Sequence, residues 1–377
     1  MEIHRRTFLA AFGGVLAQLA AGPVAASAGG RHLFLTAFAT APGRPVGYGV
    51  AALDAAGRVA FALPLPGRAH GVVPHPRRAQ AVVFERRPGR WFVPVDLATA
   101  ALGKPVEVPA GRSFTGHGAF GPDGRLLYVA EDDVERETGS IGVYDAADGY
   151  RRCGALPTHG IGPHELIMLD GGRVLAVANG GIITHPETGR AKLNTDGPDS
   201  SLTYVDASTG RLIEAVRLPE GHSNLGIRHL AEVAGGGVVL GMQDERPTGE
   251  VQALVAVHRL GSPARMLAAP EDELARFRGY VGSVAAGAGG ALVAASSPRG
   301  GLIGVWDAGT GAWVGSLPLA DGCGLAAEGA GFLASSGHGR LLAVAGKGGG
   351  EEAGTDLCVE GNLRLDNHLT PWAGGAV

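Results

Sequence analysis

Residues 115–145 read TGHGAFGPDGRLLYVAEDDVERETGSIGVYD, and this stretch contains the pattern that decides the fold. A short apolar strand is followed by an Asp-Gly turn, a second strand, a polar loop and a third strand that ends at Asp145. Three short strands cannot bury both of their apolar faces by themselves. The stretch therefore predicts that similar units lie beside it in the fold.

The same pattern recurs along the chain, beginning near residues 162, 227 and 281. The residue that ends the third strand recurs with it, at Asp54, Asp96, Asp145, Asp206, His258 and Asp307. Successive positions lie between 42 residues (Asp54 to Asp96) and 61 residues (Asp145 to Asp206) apart. Four antiparallel strands in about 40–50 residues are typical of one blade of a β-propeller.

We predict an all-β fold in which residues 29–377 form one domain, a seven-bladed β-propeller of four-stranded antiparallel blades. Residues 31–66 supply only three strands of the first blade. The segment LDNHLTPW, residues 365–372, is similar to the first strands of the other blades. We therefore expect the C-terminal strand to pair with the first blade, which would close the ring and leave no sheet edge open.

The N-terminus reads MEIHRRTFLAAFGGVLAQLAAGPVAASAGG. Arg5 and Arg6 precede a moderately apolar stretch, and Ala26-Ser27-Ala28 supplies small residues for cleavage. Residues 1–28 therefore resemble a twin-arginine export signal, with an ordinary secretory signal as the alternative. The pattern predicts a periplasmic protein.

Composition excludes several classes of protein. The chain has 377 residues, 64 of them Gly without a G-X-Y period, and 45% are hydrophobic, which excludes collagen and disorder. The formal net charge of −4 does not suggest a nucleic-acid partner, and no apolar run reaches the length of a membrane span. We expect a monomer. Three cysteines are too few for a disulfide scaffold, and a bond between Cys323 and Cys358 is left open.

Five histidines share one position when the blades are aligned on their first strands: His70, His117, His164, His229 and His368. Blade six has Ser283 there, and blade seven has Gly324. First strands line the central channel of a propeller, so the histidines are predicted to form a ring at one mouth. Neutral imidazole is the commonest side-chain ligand of transition metals, including iron, copper and zinc. The ring is therefore a candidate metal site.

A second polar position follows 14 or 15 residues later, where the second strand ends: Glu85, Glu131, Asn179 and Gln243. We predict that these side chains surround the histidines and orient them. Three further residues are candidate ligand contacts. Glu165 and Arg228 adjoin ring histidines, although strand alternation predicts that they face away, and His185 lies in the long polar loop 180–200.

The histidine ring has alternative interpretations. A repeated His near the first strand is structural in WD-repeat proteins, where it hydrogen-bonds within or between blades. An organic or anionic ligand is a third alternative. The sequence contains no G-x-S-x-G elbow, no Walker loop and no C-x-x-C-H motif for covalent haem.

Several segments together resemble a bacterial family catalogued as domain of unknown function 1513. They are AHGVVPHPRRAQAVVFERRPG, FTGHGAFGPDGRLLYVAEDD, THGIGPHELIMLDGGRVLAVANGGIITHPETGRAKLN, IRHLAEV, SPRGG and DNHL. The resemblance implies a YVTN- or WD-repeat-like propeller, and the family's motif histidines match the five ring histidines. Genes of this family often accompany imelysin-type periplasmic proteins linked to iron uptake, which implies a role in metal acquisition.

The sequence thus predicts a periplasmic propeller that binds a metal ion or metal-containing ligand at one channel mouth, in an iron- or copper-related pathway. One alternative is a non-catalytic platform for a periplasmic partner such as an imelysin-like protein. The other is a lactonase-like or metal-assisted hydrolase, in which carboxylates and imidazoles would act on a substrate.

Overall fold

The computed structural model describes residues 32–40, 47–189, 191–194, 196–246, 249–345 and 356–373. The predicted export signal, residues 1–28, lies outside these ranges. None of the helices formed by the described residues is long and apolar enough to cross a membrane.

The first three blades are formed by strands β1 to β12. Their bounds are β1 Leu33–Thr40, β2 Tyr48–Leu53, β3 Val59–Leu65, β4 Ala69–Pro74, β5 Gln80–Glu85, β6 Trp91–Asp96, β7 Ala101–Leu102, β8 Val106–Glu107, β9 Arg112–Phe120, β10 Leu126–Asp133, β11 Thr138–Asp145 and β12 Arg151–Pro157. A 3-10 turn, Ala146–Asp148, joins the last two of these strands.

Blades four and five are formed by the next eight strands. Their bounds are β13 Pro163–Leu169, β14 Val174–Asn179, β15 Ser201–Asp206, β16 Leu212–Val216, β17 Leu225–Val233, β18 Gly237–Asp244, β19 Val255–His258 and β20 Arg265–Met266. Two 3-10 turns, Asp170–Gly172 and Pro186–Thr188, lie in blade four. The short helix α1, Glu271–Arg276, leads out of blade five.

Blades six and seven and the C-terminus complete the ring. The strands are β21 Ser283–Ala286, β22 Leu292–Ser297, β23 Leu302–Asp307, β24 Trp313–Pro318, β25 Gly322–Glu328, β26 Gly331–Ser336, β27 Arg340–Val344, β28 Asp356–Cys358, β29 Leu363–Leu365 and β30 Thr370–Trp372. Two more 3-10 turns are present, Ala288–Gly290 and Glu360–Asn362.

The sheet order confirms the predicted seven-bladed propeller. Each blade is an antiparallel sheet in which consecutive strands are neighbours, and the third strands end at or directly before the repeated Asp positions. These aspartates are turn residues: the Asp206 carboxylate accepts hydrogen bonds from the backbone N–H groups of Ser208 and Thr209. Local bonding of this kind is what Asp supplies at tight turns.

The ring closes as predicted, by pairing of the C-terminus with the first blade. β29 pairs with the end of β1 and β30 with its beginning, both antiparallel. Between these two strands the chain loops out, and the Thr36 hydroxyl donates to the His368 carbonyl over 2.8 Å. The C-terminal segment thus covers the free edge of β1 and brings His368 into the channel.

Aromatic side chains fill the spaces between neighbouring blades. Phe92 of blade two packs edge-on against Tyr144 of blade three with ring centroids 5.1 Å apart, and both side chains are almost fully buried. Similar apolar clusters lie between the other blades. Each Å² of apolar surface that is removed from water contributes about 25 cal/mol to the free energy of folding. These clusters are therefore the main source of stability.

Irregularities in the innermost strands position the histidines. In blade four, Pro163 pairs with Asn179 and Glu165 with Ala178, so His164 is an extra residue with no partner. Blades two, three, five and seven have a similar register shift at the same height. A β-bulge re-aims side chains that regular alternation would place on one face or the other.

The three cysteines are free thiols, so the bond between Cys323 and Cys358 that the sequence left open is not formed. Cys323 is buried, and its thiol donates to the Asp366 carbonyl over 3.2 Å, whereas Cys358 is exposed. Cys323 therefore helps to hold the C-terminal segment against blade seven.

Candidate metal centre

The five ring histidines meet in one cluster across the central channel. Eight pairs of imidazole rings have centroids between 4.5 Å (His70 to His368) and 6.1 Å (His117 to His229) apart. His70, His117, His164 and His229 are buried, and His368 is half-buried. The predicted ring is thus contracted into a compact group.

Two trios within this cluster have the spacing of metal ligands. One consists of His70, His117 and His368, and the other of His117, His164 and His229. In each trio, one nitrogen from every histidine lies within 4.8 Å of the others. His117 belongs to both trios and is the centre of the cluster.

Glycines allow the rings of blades two and three to approach. Gly116 has φ +103, a conformation that other residues rarely adopt, and a Cβ there would lie 3.0 Å from Cδ2 of His70. A Cβ on Gly71 would lie 2.6 Å from the Gly116 carbonyl oxygen. Larger residues at either position would push His70 and His117 apart.

Carboxylates orient two of the histidines. Nδ1 of His70 lies 3.1 Å from the Asp366 carboxylate, which also binds the Arg68 guanidinium. Nδ1 of His229 lies 3.1 Å from Oε2 of Glu165, and Nδ1 of His117 lies 3.8 Å from the other oxygen of Glu165. A carboxylate on one imidazole nitrogen leaves the other nitrogen directed at a metal, which is the usual arrangement in histidine metal sites.

Several imidazole nitrogens of the cluster lack an ordinary partner. Nε2 of His117 and Nδ1 of His164 are fully buried without a hydrogen bond among the described residues. Nε2 of His70 and Nε2 of His368, in contrast, form a hydrogen bond with each other over 3.3 Å. Leaving a buried polar atom unpaired costs about 1–3 kcal/mol, so the nitrogens of His117 and His164 favour a ligand.

Burial keeps the imidazoles neutral. Desolvation lowers the pKa of His70, and it holds the pKa of His117, His164, His229 and His368 well below the ordinary value. Repulsion from His368, His70 and His229, which acts when those rings are protonated, would lower the pKa of His117 further. Neutral imidazole is the form that binds metals, so protons compete weakly for this site near neutral pH.

The two carboxyl groups beside the cluster, those of Glu165 and Asp366, differ in their pKa. Burial raises the pKa of Glu165 to about 8, against the opposing hydrogen bond from the Leu230 N–H. Burial would also raise the pKa of Asp366, but its contacts with His70 and Arg68 outweigh burial and hold it well below its usual range. Asp366 is therefore an anion at neutral pH, whereas Glu165 is mostly protonated.

The cluster separates two cavities of the channel. The smaller, about 20 Å³, is lined by His70, His164 and His229 together with Arg86, Arg87, Arg228, Tyr280 and Asn367. That volume is enough for about one water molecule or ion. The larger, about 350 Å³, is reached by His117, Glu165 and His368 and extends along the innermost strands of blades two to four.

The strand alternation used for Glu165 and Arg228 is wrong at these positions. Both side chains reach the channel: Glu165 contacts His229, and Arg228 lines the smaller cavity while its guanidinium binds the buried Glu245. The cause is the β-bulge in β13 and in β17, which lets two consecutive residues point toward one side.

The predicted outer polar ring is not where the sequence analysis placed it. The Glu85 carboxylate accepts the Arg90 N–H over 2.5 Å. Glu131 is fully buried between strands of blade three, where it accepts hydrogen bonds from Tyr144 and Arg152, both over 2.8 Å. These carboxylates therefore stabilise their own blades rather than orient the histidines.

The remaining candidates are also bound elsewhere. The Asn179 amide donates to Thr203 over 3.0 Å within blade four. Gln243 is half-buried, and its backbone bridges to that of Tyr280, a lining residue of the smaller cavity. Nδ1 of His185 accepts the Glu187 N–H and caps a 3-10 turn. Among the described residues, none of these three forms a hydrogen bond with a ring histidine.

Sequence reasoning missed Asp366 as a partner of His70. The sequence does contain a signal for this role, because Asp366 lies two residues before His368 in the segment predicted to close the ring. Only the looped-out path between β29 and β30 brings its carboxylate 3.1 Å from His70 of the next blade.

The structural role of Glu131 leads to a prediction. The variant Glu131→Ala should lose about 3 kcal/mol of unfolding free energy, because it leaves the largely buried Arg152 without its anion and the buried Tyr144 hydroxyl without its acceptor. Urea unfolding measures this loss, and metal affinity should stay at the wild-type level. A large loss of metal affinity in a folded Glu131→Ala protein would show that Glu131 contributes to the metal site.

Stability should have a maximum near neutral pH in metal-free protein, where the protons taken up by unfolded-state histidines balance those held by buried carboxyls. Below that pH the unfolded chain protonates histidines that stay neutral when folded, so stability falls by up to about 1.4 kcal/mol per pH unit for each. Glu165 acts oppositely: with its pKa raised from 4.5 to about 8, it makes stability fall as pH rises between those values.

The acid side should be steeper, since up to five histidines of the cluster contribute there and the two buried carboxyls Glu165 and Asp132 oppose them. Urea unfolding between pH 5 and 8.5 checks the shape, and His164→Gln should reduce the acid slope. A flat profile between pH 5 and 6.5 would contradict burial of neutral imidazoles.

The fold and the cluster define a class of protein: a seven-bladed β-propeller whose channel is crossed by histidines from five blades. The chain belongs to the family described as "Protein of unknown function (DUF1513)", whose model matches residues 63–372. This confirms the resemblance drawn from the sequence.

Comparison with solved structures supports the fold alone. A chain of Kuenenia stuttgartiensis hydrazine synthase is similar with a TM-score of 0.55 and 16% sequence identity, over 74% of this chain and 77% of that chain. No curated protein matches the sequence. At 16% identity, the likeness carries the propeller architecture and not the chemistry of that enzyme.

Proposed function

We propose that this propeller binds a transition-metal ion at the histidine cluster in its central channel. The observation that carries the proposal is the convergence of five imidazoles from five blades, with Nε2 of His117 and Nδ1 of His164 buried and unpaired. The ligands supplied would be neutral nitrogens, which suit iron, copper or zinc.

The cluster differs from a purely structural histidine ring. A single unpaired nitrogen is not what distinguishes the cluster, since Nε2 of His258 is also buried without a hydrogen bond while its Nδ1 pairs with the Tyr204 hydroxyl over 2.7 Å. In the cluster the nitrogens that lack such partners converge on one another, and Asp366 and Glu165 hold the opposite nitrogens of His70 and His229. A metal ion would remove the cost of the unpaired nitrogens.

We further propose that the protein works in the periplasm after twin-arginine export, in an iron- or copper-related pathway, with an imelysin-like protein as a candidate partner. Arg5-Arg6 and the apolar stretch that follows support the export route, which carries folded proteins. Fractionation of cells that produce the full chain tests it: the Arg5→Lys/Arg6→Lys double variant should remain in the cytoplasm.

The metal proposal is tested on mature protein purified without a histidine tag. Chelator-treated protein is dialysed against iron, copper or zinc, and bound metal is measured by elemental analysis. At least one equivalent of one metal should remain bound with micromolar or tighter affinity. Absence of binding for all three metals would overturn the proposal and favour the structural ring.

A further inference from the structure

The larger cavity next to the cluster has a composition of its own. It follows the innermost strands β4, β9 and β13 from His117 and His368 toward the ends of these strands, and its volume is about 350 Å³. This lies within the range of small-molecule sites, which are about 300–1,000 Å³. We call it the channel chamber.

Apolar groups form most of the wall of the channel chamber. They include Val73, Phe120, Ile167 and Met168, and the small residues Gly118 and Ala119 belong to the same wall. Val73, Ala119, Ile167 and Met168 are only half-buried, so their free surface faces the chamber. An occupant that covered them would gain about 25 cal/mol for each Å² of apolar surface removed from water.

Polar side chains are concentrated at the inner end. His117, Glu165 and His368 reach the chamber there, and Thr370 lies beside them on the C-terminal strand β30. Among the described residues that line the chamber, none is Lys or Arg. An anion would therefore have no opposite charge to compensate for its desolvation, which disfavours charged occupants.

The smaller cavity on the other side of the cluster has the opposite character. Arg86, Arg87 and Arg228 line it, and no residue is common to the walls of the two cavities. The histidine cluster thus has an arginine-lined side and an apolar side. The two approaches to the cluster therefore differ in the charge of their walls.

We infer that the channel chamber binds a neutral, largely apolar small molecule that presents one polar atom to the inner end, beside Glu165 and His117. The apolar wall excludes water from the body of the ligand, and the polar atom meets the groups of the histidine cluster. Contact of this atom with a metal rests on the proposed function, whereas occupation of the chamber does not.

Benzyl alcohol is a suitable probe, since it joins an apolar ring to one hydroxyl. Its binding to metal-free and Co(II)-loaded mature protein is measured by calorimetry, with benzoate as the charged analogue. Ala119→Trp and Ile167→Trp fill the chamber from two blades, and Ile213→Trp on the exposed outer strand β16 is the matched control. Unfolding midpoints verify folding, and Ala119→Leu replaces any Trp variant that unfolds.

We expect benzyl alcohol to bind better than benzoate, with affinity at least about tenfold lower in both chamber variants and unchanged in Ile213→Trp. In Co(II)-loaded protein, the alcohol should also change the visible absorption of the metal. Absence of binding, or equal affinity in wild type and chamber variants, would overturn the inference. If Co(II) does not bind, the proposed metal function fails, and calorimetry on metal-free protein still decides the inference about the chamber.

Discussion

Replacing His117 with Ala is expected to weaken metal binding at least about a hundredfold, since loss of an outer partner alone costs about 10–100-fold at such sites. His117 belongs to both trios, so its removal leaves neither complete. Its buried Nε2 has no other partner among the described residues, and the truncation breaks no hydrogen bond of that atom. Equilibrium dialysis of untagged protein measures the affinity.

The matched control is His185→Ala. His185 was a candidate contact in the sequence, but it caps a 3-10 turn through Glu187 and has no bond to the cluster. Metal affinity should therefore equal that of the wild type. Retention of wild-type affinity in a folded His117→Ala protein would show that the cluster does not bind the metal.

Deletion of residues 360–377 is expected to leave the chain unfolded at ordinary temperatures, so that no cooperative unfolding transition is observed. The deletion removes β29 and β30 and exposes the edge of β1. It also removes the buried side chains of Leu363, Leu365 and Leu369. Three buried leucines contribute about 5–9 kcal/mol, which is comparable to the whole stability of a typical domain, about 5–15 kcal/mol.

Thermal unfolding followed by circular dichroism measures this effect. A synthetic peptide of residues 360–373 added in trans should restore part of the transition, because the loss comes from two missing strands and not from damage elsewhere. The deletion also removes Asp366 and His368, so metal affinity should return together with the peptide. A midpoint equal to that of the full chain would show that the C-terminal strands do not close the ring.

The propeller could be predicted from the sequence because its blades are local. Each strand is a short run rich in apolar residues, most turns use Gly or Asp, and the unit repeats, so the pattern is visible without knowledge of long-range contacts. The equivalence of His117, His164 and His229 follows from the same repeat, because identical places in successive blades face the same channel.

The outer groups of the site could not be predicted in this way. The end of the second strand predicted Glu131 and Asn179 near the histidines, and regular alternation turned Glu165 away, whereas the structure has the reverse. The difference arises from one extra residue in an innermost strand, which changes the facing of its neighbours. A bulge depends on the packing of the whole ring, and no short sequence signal marks it.

The sequence by itself determined the repeat, the number of blades, the closing segment and the set of five histidines. The tertiary structure alone decided the distances between them, the pairing of His70 with Asp366 across 296 residues of chain, and the two unlike cavities on either side. The physical reason is that strand periodicity is local, whereas a channel is formed by side chains from blades that meet only when the ring closes.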